Sequence, residues 1–417
     1  MVNATADDII RGCGRLSCHS LFRALAVALV TFLFEVSGQG EERLWMEATI
    51  NGKPARLAFD TGASHLILFA RGAAQLGLSF TNAPKDARVD PGQVPMGTTE
   101  ECDLQIADGI VRTRFGVVEI PATVRTTVDG VVGWQPLREN IMSVDACKGT
   151  VTFLNKIPKE ATKWKKFKLQ THSMILRFEI PSRNRDPSVI VVDTGSEGGV
   201  ELSLAQWQEW KAAHSNQPTT LNAHYTPHTG LVVAEEGWAK KLVFGDLQIT
   251  EVSVREANKL NAAFGFTDRE SLFGLAALKR VDLIIDGKRG FAYLHPKDSP
   301  PLPYEHNRLG AVFVPRDLES DDLIAHVLNG SPAWEAGIRS GDVLTSIEEL
   351  DVTKWRTDPS VLPLSRFWER PPGTKFELAL KRGDKALKTD VVLRQILSPE
   401  ISPQIKLPDK TGRDGPR

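Results

Sequence analysis

Asp-Thr-Gly occurs twice in this chain, at Asp60-Thr61-Gly62 and Asp193-Thr194-Gly195, each time directly after an apolar run. Leu57-Ala58-Phe59 precedes the first and Val189-Ile190-Val191-Val192 the second. Short apolar runs of this kind read as buried strands. A strand that ends in an acid and a glycine delivers a carboxylate to the end of a sheet, where the backbone can be approached closely. One such tripeptide arises easily by chance. Two, each opening a similar half of the chain, predict related units that meet with Asp60 and Asp193 face to face. Two carboxylates within hydrogen-bonding reach cannot both ionise cheaply, so one keeps a proton. The charged acid can then take a proton from water while the protonated one polarises a carbonyl.

Other landmarks repeat in a common register. Gly133 and Gly274 are separated by 274 − 133 = 141 positions, and the same offset relates Leu137 to Leu278, Asp145 to Asp286 and Gly149 to Gly290. One register held over four landmarks argues for an internal repeat. Residues 44–50 and 55–59 around Asn51-Gly52 predict a hairpin leading into the first motif. Residues 174–180 and 189–192 lead into the second. A short helix is expected over 71–78 and a longer one over 204–213, where Trp207 and Trp210 sit at helical spacing on a core or interface face. Residues 111–120 read as one strand, and 231–234 and 242–244 as two.

Pro296 to Pro303 is proline-rich and reads as a linker. A new pattern follows it, with strands over 324–327, 343–347, 376–381 and 391–393. Ser331-Pro332-Ala333 opens a helix with proline in its first turn. The polar tail from 399 to 417 is expected to be disordered.

The N-terminus carries an uncharged apolar run over 24–34, preceded by Arg11, Arg15 and Arg23 and ended by Glu35. Such a run is too short to span a bilayer but fits the core of a signal peptide, with Val36-Ser37-Gly38 as a small-residue cleavage site. It predicts export to the periplasm or medium, with a retained N-terminal membrane anchor as the second reading. Cys13 and Cys18 fall in this leader, which leaves Cys102 and Cys147 in the mature chain. Export permits a bridge between them, and two thiols that never meet fit equally well. The net charge of −1 and the lack of a basic block give no basis for a nucleic-acid partner. His224 and His228 are four apart, but Pro227 opposes a shared helical face, so no metal site is expected. His65 follows the first motif as an incidental neighbour. No glycine-rich phosphate loop or Cys-x-x-Cys is present, and no cofactor is implied.

At Asp60-Thr61-Gly62-Ala63 and Asp193-Thr194-Gly195-Ser196 the chain resembles the retropepsin-like and pepsin-like aspartyl proteases. Val131-Val132-Gly133 and Leu272-Phe273-Gly274 resemble the later apolar-apolar-Gly of that family, which packs beside the catalytic loop. The resemblance implies Asp60 and Asp193 as the catalytic pair, supported by Thr61, Gly62, Ala63, Thr194, Gly195, Ser196, Gly133 and Gly274. The threonines are expected to hydrogen-bond across the interface. Departures are Ala63 in place of a hydroxyl, Glu197-Gly198-Gly199 after the second motif, and the lack of a flap tyrosine: Tyr225, Tyr293 and Tyr304 all lie beyond the first unit. The turn-rich residues 90–99 are the flap candidate.

The region from Tyr304 to Leu397 resembles a PDZ domain of the bacterial protease-associated kind, through Ser331-Pro332-Ala333, Ala336-Gly337-Ile338 and Gly341-Asp342-Val343-Leu344. That resemblance makes Leu309, Gly310, Ala311, Val312 and Phe313 the expected peptide-binding stretch, whose loop N–H groups would receive a terminal carboxylate beside an edge strand.

The fold expected is therefore mainly β, with two tandem retropepsin-like acid-protease lobes followed by a PDZ domain. Its segments are a leader over 1–38, lobes over 39–160 and 161–298, the PDZ domain over 304–398 and the tail. The function expected is an exported aspartic endopeptidase acting on peptide or protein substrates as a monomer, with no metal or cofactor. The PDZ domain would recruit a substrate or regulator by its C-terminus. The alternative is a catalytically inactive, protease-like peptide-binding protein acting through the PDZ groove.

Overall fold

The structure, a computed structural model, describes residues 44–83, 94–107, 109–120, 127–181, 187–226, 230–257, 269–300, 303–316, 320–358 and 360–397. The leader and the tail lie outside the described residues. So does His228, and the side chain of His224 does too.

The first sheet is built from β1 (Trp45–Ile50), β2 (Lys53–Phe59), β3 (Leu66–Phe69), β4 (Phe80–Asn82), β5 (Val94–Thr99), β6 (Cys102–Ile106), β7 (Gly109–Thr113), β8 (Gly116–Glu119) and β9 (Gly130–Val132), with helix α1 (Ala70–Leu76) after β3. Asn51 and Gly52 turn β1 into β2 with φ of 50° and 76°, the left-handed pair that a tight hairpin favours. The strand order is β4-β5-β8-β3-β9-β2-β1-β6-β7. β9 slots between β2, to which it is parallel, and β3, to which it is antiparallel. The 111–120 run divides into β7 and β8, because the chain leaves β6 and crosses to a site between β3 and β5.

The second sheet contains β10 (Ile141–Asp145), β11 (Thr150–Leu154), β12 (Lys165–Leu169), β13 (Arg177–Ile180), β14 (Ser188–Val192), β15 (Val200–Leu202), β16 (Thr220–Thr226), β17 (Gly230–Phe244), β18 (Leu247–Glu256), β19 (Glu270–Phe273), β20 (Val281–Asp286) and β21 (Phe291–Pro296). The 231–234 and 242–244 runs belong to the single long strand β17. Helices α2 (Leu204–Ala213) and α3 (Leu275–Leu278) complete it. Ser203 and Gln206 form a reciprocal capping box at the start of α2, worth about 1 kcal/mol. Trp207 and Trp210 are buried on one face of α2 and stacked at 5.2 Å.

Read from its far edge, the second sheet begins β16-β17-β18-β15-β19-β14-β13. This reproduces β4-β5-β8-β3-β9-β2-β1 strand for strand and in the same chain order. The parallel pairs also correspond: β18 with β15 and β19 with β14 match β8 with β3 and β9 with β2.

β10 and β11, expected in the first unit, are hydrogen-bonded into the second sheet through β20. The register there is informative. Met142 faces Ile285, and moving both by the 141-residue repeat offset gives Leu283 facing Val144, which is also a pair. Ser143 facing Ile284 maps onto itself, so a pseudo-twofold axis passes through that pair. The turns that follow match as well. Asp145 Oδ1 accepts from the Lys148 amide and Asp286 Oδ1 from the Arg289 amide, and Gly149 and Gly290 have φ of 66° and 73°.

One apolar core is continuous through both sheets and includes Phe59, Val132 and Trp134 from one side and Phe178, Val192 and Phe273 from the other. Cys102 is buried in that core on β6, whereas Cys147 is exposed on the β10–β11 turn; both are free thiols. The option of a bridge between them is thus overturned: one side chain points into the core of the first sheet and the other contacts Lys279 O, just after α3, and Lys297, just after β21.

The third sheet has its own core, containing Leu309, Phe313, Leu344, Trp368 and Leu378. It comprises β22 (Ala311–Pro315), β23 (Leu323–Val327), β24 (Val343–Ile347), β25 (Leu350–Asp351), β26 (Lys375–Arg382) and β27 (Lys385–Val392), in the order β22-β23-β24-β26-β27 with β25 on β24. Helices α4 (Pro332–Glu335) and α5 (Ser365–Trp368) flank it, and Ser331 caps α4.

Candidate active site

Each Asp-Thr-Gly turn follows the end of a buried strand. The Asp60 amide donates to Val132 O and the Asp193 amide to Phe273 O, both at 3.0 Å, so β9 and β19 fix where the acids emerge. Asp60 Oδ1 accepts from the amides of Gly62 and Ala63 at 2.9 and 3.0 Å, and Asp193 Oδ1 from the amide of Gly195 at 2.9 Å. Both acids are buried, Asp60 at 3% exposure and Asp193 at 0%.

The structure brings the two motifs together. The Thr61 amide donates to Thr194 Oγ1 at 3.0 Å, and the Thr194 amide to Thr61 Oγ1 at 3.2 Å. Each hydroxyl in turn donates to the opposite strand, Thr61 to Val192 O at 2.6 Å and Thr194 to Phe59 O at 2.7 Å. This packing leaves no room for a side chain at either glycine. A Cβ on Gly62 would stand 2.5 Å from Asp193 Oδ1, and one on Gly195 would stand 2.5 Å from Asp60 Oδ2. Each carboxylate therefore lies against the glycine of the other motif.

Gly133 and Gly274 play matching supporting parts. A Cβ on Gly133 would meet the Ser64–His65 peptide at 2.6 Å, and one on Gly274 would meet Ser196 O at 2.9 Å. The amides of Trp134 and Gln135 hold Ala63 O and Ser64 O, and the amide of Leu275 holds Ser196 O. Ala63 and Ser196 occupy equivalent buried places, and Ser196 Oγ has no hydrogen-bond partner among the described residues. His65 hydrogen-bonds Ser64 Oγ, and burial pushes its imidazole below the usual range. No group of three metal-ligating side chains occurs among the described residues.

Of the flap candidate over 90–99, residues 90–93 lie outside the described residues; the rest is β5, paired with β4. By strand order, the counterpart of the β4–β5 hairpin is β16–β17.

That second hairpin reaches the third sheet. Leu221 on β16 packs against Val312 and Val314 of β22. Thr220 Oγ1 donates to Asn307 O at 2.7 Å, and Asn307 Nδ2 donates to Leu221 O and to Ala311 O, both at 2.8 Å. The Leu309 and Gly310 amides, expected to be open to a ligand carboxylate, donate instead to Asn307 Oδ1 at 2.9 and 3.1 Å. Leu309, Ala311, Val312 and Phe313 are all buried. A side-chain oxygen of this chain thus sits on the N–H groups of that loop.

Sequence reasoning missed Asn307, although it lies inside the region from Tyr304 to Leu397, and Arg255. The latter is 2% exposed on β18, with its Nε bonded to Glu201 Oε1 at 2.9 Å. An open pocket of about 930 Å³ lies elsewhere, lined by residues including Trp45, Glu47, Arg56 and Asp129 but by neither Asp60 nor Asp193.

Residues 46–135 match the aspartyl protease family model, a span that includes Asp60, Thr61, Gly62, Ala63 and Gly133 and ends before Asp193. No curated protein matches the chain. Among solved structures, the retroviral protease-like domain of Ddi1 from Leishmania major is similar at 18% identity, over 34% of this chain and 98% of that one, with a TM-score of 0.21. By the family match, the first of the two Asp-Thr-Gly motifs lies in an aspartyl protease-like domain, within a mainly β chain.

Proposed function

We propose that this chain is an aspartic endopeptidase whose active site is formed by two lobes of one polypeptide, followed by a PDZ domain. The observation that carries the reading is the mutual placement of the motifs: each carboxylate lies against the opposite glycine, and each threonine bonds across the interface. Asp60 and Asp193 would hold one water between them. The ionised member takes a proton from that water as it attacks the peptide carbonyl, and the protonated member donates to the carbonyl oxygen. The tetrahedral adduct then collapses as a proton passes to the leaving nitrogen. Preorganised amides around the acids lower the cost of charge redistribution.

The strand-for-strand match between the first two sheets supports two related lobes, and the self-mapping register at Ser143 and Ile284 supports a pseudo-twofold between them. Both acids in one chain support a monomer as the active unit. The edge position of β22, with Gly310 before it, supports the PDZ assignment. The apolar run over 24–34 within the leader supports export.

The test is incubation of the purified chain with a diverse peptide pool at several pH values, with and without a transition-state-mimicking aspartic protease inhibitor. Cleavage abolished by the inhibitor and by Asp193→Asn is expected. Cleavage that survives both would place catalysis elsewhere.

A further inference from the structure

The second Asp-Thr-Gly loop continues through Glu197-Gly198-Gly199, and a buried cation lies beneath it. A Cβ on Gly198 would stand 3.1 Å from Arg255 Cζ and 3.3 Å from both terminal guanidinium nitrogens. Those three near-equal distances mean that the flat of the guanidinium faces the Gly198 backbone. Arg255 is held there by Glu201, which bonds its Nε and Nη2, and both side chains are almost fully enclosed. Backbone register explains the alignment: Glu201 on β15 and Glu236 on β17 both face Arg255 on the intervening β18. Glu236 is 2% exposed and accepts from the Tyr304 hydroxyl. The cation is thus fixed by Glu201, with Glu236 in register on its other side, before it meets the loop.

From the other side, the Leu275 amide holds Ser196 O at 2.7 Å and the Ala276 amide holds Gly198 O at 3.0 Å. The segment after Asp193 is therefore clamped between the start of α3 and a guanidinium plane. A Cβ at Gly198 would make the guanidinium give way by a few tenths of an ångström. A lysine would keep the charge but lose the flat fork.

We propose that Arg255 is a positioning residue: it sets the height of the Ser196–Gly199 turn and thereby the aim of Asp193 towards Asp60. The proposal rests on the reading of those two acids as the catalytic pair. Misplacement by a fraction of an ångström at a reacting group lowers turnover without comparable loss of substrate binding.

The experiment uses the full chain with Arg255→Lys and, separately, Gly198→Ala, which keeps the ion pair and pushes on the guanidinium. Turnover of a peptide substrate, melting temperature, and hydrogen exchange at the Leu275 and Ala276 amides are measured. In each variant kcat should fall about tenfold or more, with KM changed by less than about twofold, and the two amides should exchange about tenfold faster. If Arg255→Lys does not fold, Gly198→Ala decides alone. A lower melting temperature with kcat and both amides unchanged would show a merely structural Arg255 and overturn the proposal. If the parent chain cleaves nothing, the endopeptidase reading fails by itself. The exchange measurement then still decides: faster amides support clamping by Arg255, and unchanged amides refute it.

Discussion

Thr61 and Thr194 bond to each other in both directions: the amide of each donates to the hydroxyl of the other, at 3.0 and 3.2 Å. Each hydroxyl then spends its own proton on a carbonyl of the strand feeding the opposite motif. Both residues are fully buried. The contact therefore ties the two acid-bearing turns together where no water can replace a lost partner.

Replacing Thr61 with valine keeps the shape and removes the hydroxyl. The Thr194 amide and Val192 O then lose a buried partner, at a cost of about 1–3 kcal/mol. Thr194→Val should cost a similar amount. Because the two act in one network, the double variant should lose less than the sum of the singles. Denaturant unfolding of the four proteins measures this, and strict additivity would mean that the threonines act independently.

Asp60→Asn and Asp193→Asn should each lower peptide cleavage about a thousandfold or more, since each removes one of two coupled proton carriers. Mixing the two inactive proteins should restore nothing if one chain completes the site. Recovered activity on mixing would show that sites form between chains.

His306 supplies a pH prediction. It is 3% exposed, and its Nε2 accepts from the amides of Leu397 and Ile396 while Nδ1 contacts Tyr304 O. Burial, together with the nearby Arg308 charge and against the Tyr304 bond, lowers its pKa to about 4. An unfolded histidine titrates near 6.5. Above that pH both states are neutral and the group contributes no slope. Between about 6.5 and 4 the unfolded chain takes up a proton that the folded chain refuses, so stability falls as pH falls, by up to about 3 kcal/mol. His306→Gln should flatten that part of the profile in melting curves of the chain recorded across this pH range. An unchanged acid slope would assign the effect to other groups.

The acid-bearing turns were legible because strand, acid, threonine and glycine form a local pattern. So was the register of Asp145 with Asp286, since turn chemistry repeats with the chain. Pairing between distant strands left no such mark. Nothing local shows that Ile141–Asp145, besides pairing with β11, also bonds to the distant strand β20. The long strand β17 was split because Glu235, Glu236 and Gly237 interrupt its apolar run.

Arg255 and Asn307 were missed for a different reason. A charged residue in a strand reads as solvent-facing, and only the assembled sheet places Glu201 and Glu236 on either side of Arg255. The available signal was Gly198-Gly199 after the second motif, a departure from the family pattern that a close approach by another group explains. Asn307 stands two residues before Leu309, where an Asx turn back onto its own chain is as plausible as a solvent-facing side chain.

The same asparagine governs the last prediction. Its Oδ1 already accepts from the Leu309 and Gly310 amides, the groups that a ligand carboxylate would use, and its Nδ2 ties Leu221 O of the second sheet to Ala311 O. A peptide entering beside β22 must displace this side chain and compete with the packing of Leu221 on Val312 and Val314. We expect the intact chain to bind weakly a labelled peptide pool that ends in apolar residues with free carboxylates. Asn307→Ala leaves the two amides without that acceptor, so a charge-assisted bond becomes available to the ligand. Affinity for free carboxylates should then rise about tenfold, while amidated copies gain little. Fluorescence anisotropy on both proteins and both pools reads this directly. Equal gains for free and amidated peptides would show that the loop does not read the terminal charge. An intact chain that already binds as tightly as the variant would show that Asn307 yields its place without cost.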